Sequence, residues 1–393
     1  MRIIIVSQEY PPETAKGGIG TQALMKAHGL AARGHDVTVI SRAPDHQRSE
    51  RVDAGCRLIR IPGFERRLPL HTEIADWLTY SAEVAVAIGE VHAAKPVDLV
   101  EFPEWACEGY VHLMNRTEWN TIPSVIHLHG PLVMFGHTMG WPELTSTFFK
   151  IGTEMEGTCL RAADAIYASS CCSADWCARE YGLVRDAIPI LHTGVDTTMF
   201  FPRPVPRDSR PTVLFVGKLV RNKGVIPLTE AVCGLADDLP DIRLQLIGRQ
   251  DDQVVATMRA IATKSGHADV LDIVGPVMRE HLADYYSRAH VFAAPSQYEG
   301  GPGFVYLEAM ACGLPVIACS ASGASEIVLP GVNGMLVPPE DPVALCETLR
   351  HLFANPLERE TMGRSAREYV SRHADSHLCI DRIEKFYHLV ARR

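Results

Sequence analysis

Short apolar runs alternate with helix-patterned stretches along this chain, and the alternation breaks off at a proline-rich stretch and then starts again. Before the break, residues 2–7, 36–41, 57–61, 97–102, 124–129, 165–168 and 188–191 read as strands. Residues 21–33, 74–94, 104–118, 143–162 and 173–181 carry helical periodicity between them. Strands that return through a helix lie parallel, and a parallel sheet needs helices on both faces. Pro202, Pro204, Pro206 and Pro211 then suggest a stiff linker. After it come strands at 212–216, 242–247, 270–274, 291–294 and 316–319. Two α/β domains in series are the expectation, over residues 1–197 and 198–374. Loops at the carboxyl ends of their strands are where ligands should bind.

Length agrees with two domains, since 393 residues exceed one ordinary core and 47% apolar residues can fill two. A net charge of −9 excludes a general polyanion binder, so no nucleic-acid partner is expected and phosphate work falls to local basic spots. Eleven scattered cysteines fit reduced thiols and a cytoplasmic location better than a disulfide framework. Cys171, Cys172 and Cys177 lie on an expected helix without a second Cys/His pair at ligand spacing, so no metal is assigned to them. The opening run Met1–Val6 is too short for a signal peptide or a membrane span.

Two segments carry the chemistry. In Pro295–Pro315 a buried strand ends at Pro295, a turn containing Gly300, Gly301 and Gly303 follows, and a helix spans about 303–311. The unpaired N–H groups at that helix start, near Gly303, Phe304 and Val305, suit an anion such as a diphosphate. Glu299 and Glu308 flank them and can accept sugar or ribose hydroxyls. In Val213–Gly224 a strand ends at Gly217, and Lys218 and Lys223 follow before the next helix, with Arg221 between them. Lysines there neutralise phosphate as point charges.

Together these segments resemble the donor site of the family-4 retaining glycosyltransferases. The match is close over Glu308-Ala-Met-Ala-Cys-Gly-Leu-Pro-Val316, while the spacing from Glu299 to Glu308 is one residue longer than that family's usual pattern. Lys218 stands where arginine is commoner. The resemblance implies the GT-B fold: two Rossmann-like domains facing each other across a cleft, with a last helix (about 375–393) packed back onto the first. It implies that Lys218 and Lys223 clamp the donor diphosphate, that Glu299 holds the transferred sugar, and that Glu308 holds the ribose. Val277, in Val274-Gly-Pro-Val277, would lie where the loop backbone reads the base.

Three first-half loops extend the reading. Gly17, Gly18 and Gly20 come about ten residues after the first strand, too late for a dinucleotide fingerprint, and the second strand ends without an acid. That disfavours a nicotinamide dehydrogenase. Glycines opening a helix let backbone N–H groups approach a phosphate, and the resemblance makes Gly17 and Gly18 the loop that closes over the donor. His127 and His129 share one strand face. His129, last before Gly130, is expected at the strand tip against the donor sugar. In Glu101-Phe-Pro-Glu-Trp105, Pro103 stops a strand and Glu104 favours a helix start. Glu101, Glu104 and Trp105 are the candidates to touch an acceptor, as are loops 63–71 and 130–143. Arg66 and Arg67 beside Leu68 and Leu70 read as a solvated loop, with a membrane-surface patch as the other reading.

The implied activity is transfer of a hexose (EC 2.4 class) from a nucleoside diphosphate sugar, with UDP favoured, to a hydroxyl of a sugar, glycolipid or small molecule. It would proceed with retention, by front-side attack, without a cofactor and without a metal. Any membrane association would be peripheral. The rivals are an epimerase or phosphorylase of the same fold, and a non-catalytic nucleotide-sugar-binding protein.

Overall fold

The computed structural model describes residues 1–14, 17–63, 72–118, 121–192 and 194–392. It resolves into two compact units, Met1–Thr193 with His377–Arg393, and Gly194–Ser376. Arg66, Arg67 and most of loop 63–71 lie outside the described residues.

The first unit holds strands β1 (Arg2–Val6), β2 (Asp36–Arg42), β3 (Ser49–Asp53), β4 (Cys56–Ile61), β5 (Leu99–Pro103), β6 (Ser124–Leu128) and β7 (Ala165–Ala168). They form one sheet in the order β3-β4-β2-β1-β5-β6-β7, parallel except for β3 against β4. β1 shows why both faces are covered. Ile3 and Ile5 pack with Ala23, Ala27 and Leu30 of helix Gly18–Ala31 and with Ile380, Ile383, Tyr387 and Val390 of helix Ser376–Ala391. Ile4 and Val6 point the other way, onto Tyr80, Val84, Ile88 and Val91 of helix Glu73–Ala94. Each buried aliphatic side chain is worth about 1.5–3 kcal/mol, enough to hold the last helix of the chain in this unit.

The second unit holds β8 (Thr212–Val216), β9 (Arg243–Ile247), β10 (Leu271–Gly275), β11 (Val291–Ala294), β12 (Val316–Cys319) and β13 (Gly334–Val337), all parallel, in the order β10-β9-β8-β11-β12-β13. One continuous apolar cluster fills it. In each unit the strand order reverses once, between β1 and β5 and between β8 and β11. Such a reversal opens a crevice at the strand ends, because consecutive crossovers leave in opposite directions.

Several local expectations change. The Pro202–Pro211 stretch is no linker: it lies inside the second unit, where Phe200 is fully buried and the Arg203 and Asp208 N–H groups donate to Ser287 Oγ (2.9 Å) and the Arg288 carbonyl (3.0 Å). The helix expected over 104–118 is broken into a turn at Trp105–Cys107 and a short helix Tyr110–Met114, because Ala106 and Cys107 adopt φ of 61° and 50°. Residues 188–191 make only an isolated bridge, Ala168 with Ile190, beside Pro189, which has no N–H to continue a ladder. β3 escapes the apolar pattern because its residues, Ser-Glu-Arg-Val-Asp, form an exposed charged edge of the kind that blocks further pairing. Leu132–Met139, expected as loop, is helical between Pro131 and Gly140, whose φ of 66° ends it.

Candidate functional site

In the second unit, the loops after β8 and β11 meet at the strand-order reversal. Gly224 has φ of 73°, and a Cβ there would lie 2.3 Å from the Pro295 carbonyl oxygen, so only glycine lets the two backbones come this close. The Gln297 N–H donates to the Asn222 carbonyl at 3.1 Å. Gly217 and Gly248, at the tips of β8 and β9, are equally close: a Cβ on Gly248 would overlap the Gly217 carbonyl.

This closeness brings Lys223 Nζ to 2.5 Å from Glu299 Oε1, with both side chains partly exposed. The expected phosphate clamp and the expected sugar acceptor are therefore each other's partners. Lys218 is exposed and Arg221 stands beside it on the turn Arg221–Lys223. The Glu299 carbonyl accepts from the Gly323 N–H at 2.9 Å, and Gly303, at φ 74°, caps helix Phe304–Ala311. Phe304 and Val305 open that helix half-buried, and Val277 packs half-buried on the core.

Glu308 lies deeper than expected, at 3% exposure. Its Oε1 accepts from Arg279 Nε (3.0 Å) and Nη2 (2.7 Å), and its Oε2 from the Tyr286 hydroxyl (3.2 Å). Burial pushes its pKa up, against the opposing pull of Arg279. A carboxylate offers about four lone-pair positions, so three are used inside the protein. Arg279 was not legible as a site residue; it stands two positions after Val277, and its guanidinium lies over the rings of Phe200 (5.2 Å) and Phe304 (5.8 Å).

In the first unit, carboxylates dominate the corresponding loops. Glu101, read above as an acceptor contact, points into the core instead: it is 2% exposed, ion-paired with the buried Lys26, and accepts from the hydroxyls of Tyr167 and Tyr387. Glu104 is 1% exposed; its Oε1 accepts the N–H groups of His129 (2.8 Å) and Gly130, and its Oε2 is buried without a hydrogen-bond partner among the described residues. It holds the His129 backbone rather than facing solvent. Glu108 accepts the Gln8 N–H (3.0 Å), tying the loop after β5 to the loop after β1, and Glu156 accepts the Leu132 N–H (3.0 Å) and the Tyr181 hydroxyl. Burial raises all three acids, Glu104 to about 7 and Glu108 and Glu156 to about 8.

Lys26 Nζ lies 3.0 Å from His127 Nδ1. An ammonium only donates, so Nδ1 must be the acceptor, and Nε2–H then donates to Ser169 Oγ at 2.7 Å. His127 is thus a core residue. The His129 ring lies 3.9 Å from it, and burial followed by the Lys26 charge lowers its pKa well below the ordinary value, which favours the neutral ring. Trp105 is half-buried among Trp77 (5.9 Å), Phe135 (5.7 Å) and Trp141 (6.3 Å). Gly17 precedes helix Gly18–Ala31 in extended backbone open to any residue, whereas Gly20 is closely packed: a Cβ there would lie 3.0 Å from the Glu9 Cβ.

Comparison with known proteins agrees with this architecture. The description "Glycosyl transferases group 1" matches residues 196–369, and "Glycosyl transferase 4-like domain" matches 17–194. The D-inositol 3-phosphate glycosyltransferase of Xylanimonas cellulosilytica is 30% identical, covering 91% of this chain and 88% of its own. The sucrose-phosphate synthase of Thermosynechococcus elongatus superposes with a TM-score of 0.82 at 25% identity, over 99% of this chain and 98% of its own. HepE of Anabaena, solved with UDP-glucose, shares the fold with a TM-score of 0.75 at 19% identity, over 98% of this chain and 99% of its own. Two parallel-sheet α/β domains, each matched by a glycosyltransferase model and both spanned by a relative of this similarity, place the chain in the group 1, family-4, glycosyltransferases of GT-B fold.

Proposed function

We propose that the chain transfers a hexose from a nucleoside diphosphate sugar bound by the second unit, with retention and without a metal. One observation carries the reading: the β8 and β11 loops are locked together at the strand-order reversal, so that Lys223 meets Glu299, with Lys218 and Arg221 on the same β8 loop and helix Phe304–Ala311 following the β11 loop. Negative charge grows on the diphosphate as the sugar leaves. Donors fixed beforehand toward it stabilise that transition state without reorganisation. Glu299 keeps Lys223 aimed until the diphosphate arrives, and the freed carboxylate then accepts sugar hydroxyls. Glu308, mostly satisfied by Arg279 and Tyr286, has one lone-pair position left for a ribose hydroxyl and also sets the position of Arg279. No base for the acceptor proton is assigned, so the departing phosphate takes it in a front-side attack.

UDP is the nucleotide we favour, HepE being a fold neighbour solved with UDP-glucose. D-inositol 3-phosphate, named for the Xylanimonas relative, belongs in the acceptor screen. The test is a panel of UDP-, GDP- and ADP-sugars scored by thermal shift and then by transfer, with the product anomer read by NMR. A donor at 100 times its dissociation constant adds about 2.7 kcal/mol. Tight binding with neither transfer nor donor hydrolysis would make this a nucleotide-sugar-binding protein instead.

A further inference from the structure

In the first unit, away from the loops at the strand-order reversal, two imidazoles converge on one carboxylate oxygen. His35 lies in the turn between helix Gly18–Ala31 and β2, and Glu384 and His388 stand one turn apart on helix Ser376–Ala391. His35 Nε2 is 2.8 Å and His388 Nε2 is 4.0 Å from the same Glu384 Oε1, and the three ligand atoms lie within 4.8 Å of one another. A single hydrogen bond accounts for the first distance. Glu384 and His388 share one helix face at i,i+4 spacing, which brings the second ring to the same oxygen at a distance too long for a hydrogen bond.

The surroundings hold this oxygen in place. The other oxygen, Oε2, is 3.3 Å from Arg33 Nε, and Arg33 is itself fixed by Asp381 (2.6 Å), the Gly29 carbonyl (2.9 Å) and the His377 carbonyl (2.9 Å). The carboxylate plane is thereby set with Oε1 turned to the histidines. His35 is nearly buried and its Nδ1 is 3.1 Å from the Met1 nitrogen; with a metal on Nε2 the ring proton sits on Nδ1 and the neutral Met1 amine accepts it, while the half-exposed His388 leaves the site open to ions from solvent.

We propose that His35, Glu384 and His388 form a site for a divalent transition-metal ion, with Zn²⁺ as the best fit, that ties helix Ser376–Ala391 to the turn before β2. Two imidazole nitrogens and one carboxylate oxygen are a three-ligand set that zinc completes with water. Ligands held about 2.0–2.1 Å from a tetrahedral ion are about 3.3 Å apart, so the pair at 2.8 Å opens slightly and the half-exposed His388 closes in. Imidazole ligands disfavour Mg²⁺ and Ca²⁺, which take oxygen. The ion is structural: it fastens a helix whose Ile380, Ile383, Tyr387 and Val390 already fill the core of this unit.

The experiment is a titration of the chelator-treated full-length protein with Co²⁺, followed by visible absorption, and with Zn²⁺, followed by calorimetry. We expect one equivalent to bind, with Co²⁺ d–d bands, no sulfur-to-metal charge transfer in the near ultraviolet, and a raised unfolding midpoint. His388→Ala, at a half-exposed position, and Glu384→Gln should each weaken binding at least about tenfold, with the circular dichroism of the metal-free protein unchanged. The proposal is overturned by a dissociation constant above about 100 μM. It is equally overturned by binding that both variants keep, or by a thiolate charge-transfer band, which would move the ion to the cysteines, of which Cys171 is exposed.

Discussion

The two strand-order reversals are built from the same parts and carry opposite electrostatics. In the second unit, positive groups meet acids: Lys223 with the partly exposed Glu299, and the partly exposed Arg279 with the buried Glu308. In the first, Glu104, Glu108 and Glu156 are buried and satisfied mainly by backbone N–H groups, and a buried ion pair, Lys26 with Glu101, lies beneath the strand tips. Under the proposed function, the contrast follows from what each has to hold. A loop that binds an anion needs cations able to exchange partners, and half-exposed pairs exchange cheaply. A loop that must keep a strand tip such as His129–Gly130 in one geometry gains more from a carboxylate fixed on consecutive N–H groups.

The largest effect expected from breaking this contrast is at Arg279. Arg279→Met leaves the Glu308 carboxylate buried and unpaired, which should cost about 3–5 kcal/mol in urea unfolding. A loss below about 1 kcal/mol would mean that Glu308 takes up a proton instead, consistent with its raised pKa. Next comes Lys223→Ala, which should lower kcat/KM by about 10- to 150-fold, the equivalent of about 1.5–3 kcal/mol, and leave unfolding nearly unchanged. Steady-state kinetics on the purified variant decide it; unaltered kinetics would mark Lys223 as surface charge neutralised by Glu299.

The buried acids of the first unit make stability fall with pH. Glu108 titrates at about 8 when folded against an ordinary 4.5, so between those values the folded chain keeps a proton that the unfolded chain has released. Its stabilising contribution is complete below about 4.5 and lost as pH rises through 8, at no more than about 1.4 kcal/mol per pH unit. Glu108→Gln should flatten this slope, read as urea midpoints at pH 6 and 8.5; parallel slopes in variant and wild type would place the titration elsewhere. The smallest effect expected is of chelator on turnover. Excess EDTA should leave transfer rates unchanged, while lowering the unfolding midpoint if the protein carries an ion at His35, Glu384 and His388. Loss of activity restored by Mn²⁺ would overturn the metal-free mechanism.

Much of the frame was legible because it is local. Strand tips ending in glycine, lysines behind β8, and the helix start after Gly303 all follow from residues near each other in sequence, and the period-two alternation of β1 names both of its covered faces. The proline stretch misled because proline marks stiffness and not exposure, and Phe200 beside it is fully buried. The broken helix after β5 misled because Ala106 and Cys107 adopt backbone angles that no pattern of apolar residues encodes.

From the sequence alone came the two parallel α/β domains and the loops that bear the charged groups, since propensity and periodicity act over short stretches of chain, while the glycosyltransferase family came through the resemblance of its motifs. Tertiary structure alone decided how those groups are paired. Lys223 finds Glu299 across 76 residues, Lys26 finds Glu101 across 75, and Tyr387 reaches Glu101 across 286. Whether a carboxylate waits for a ligand or satisfies a buried neighbour depends on what the packed chain removes from water beside it. That quantity exists only once strands and helices have come together.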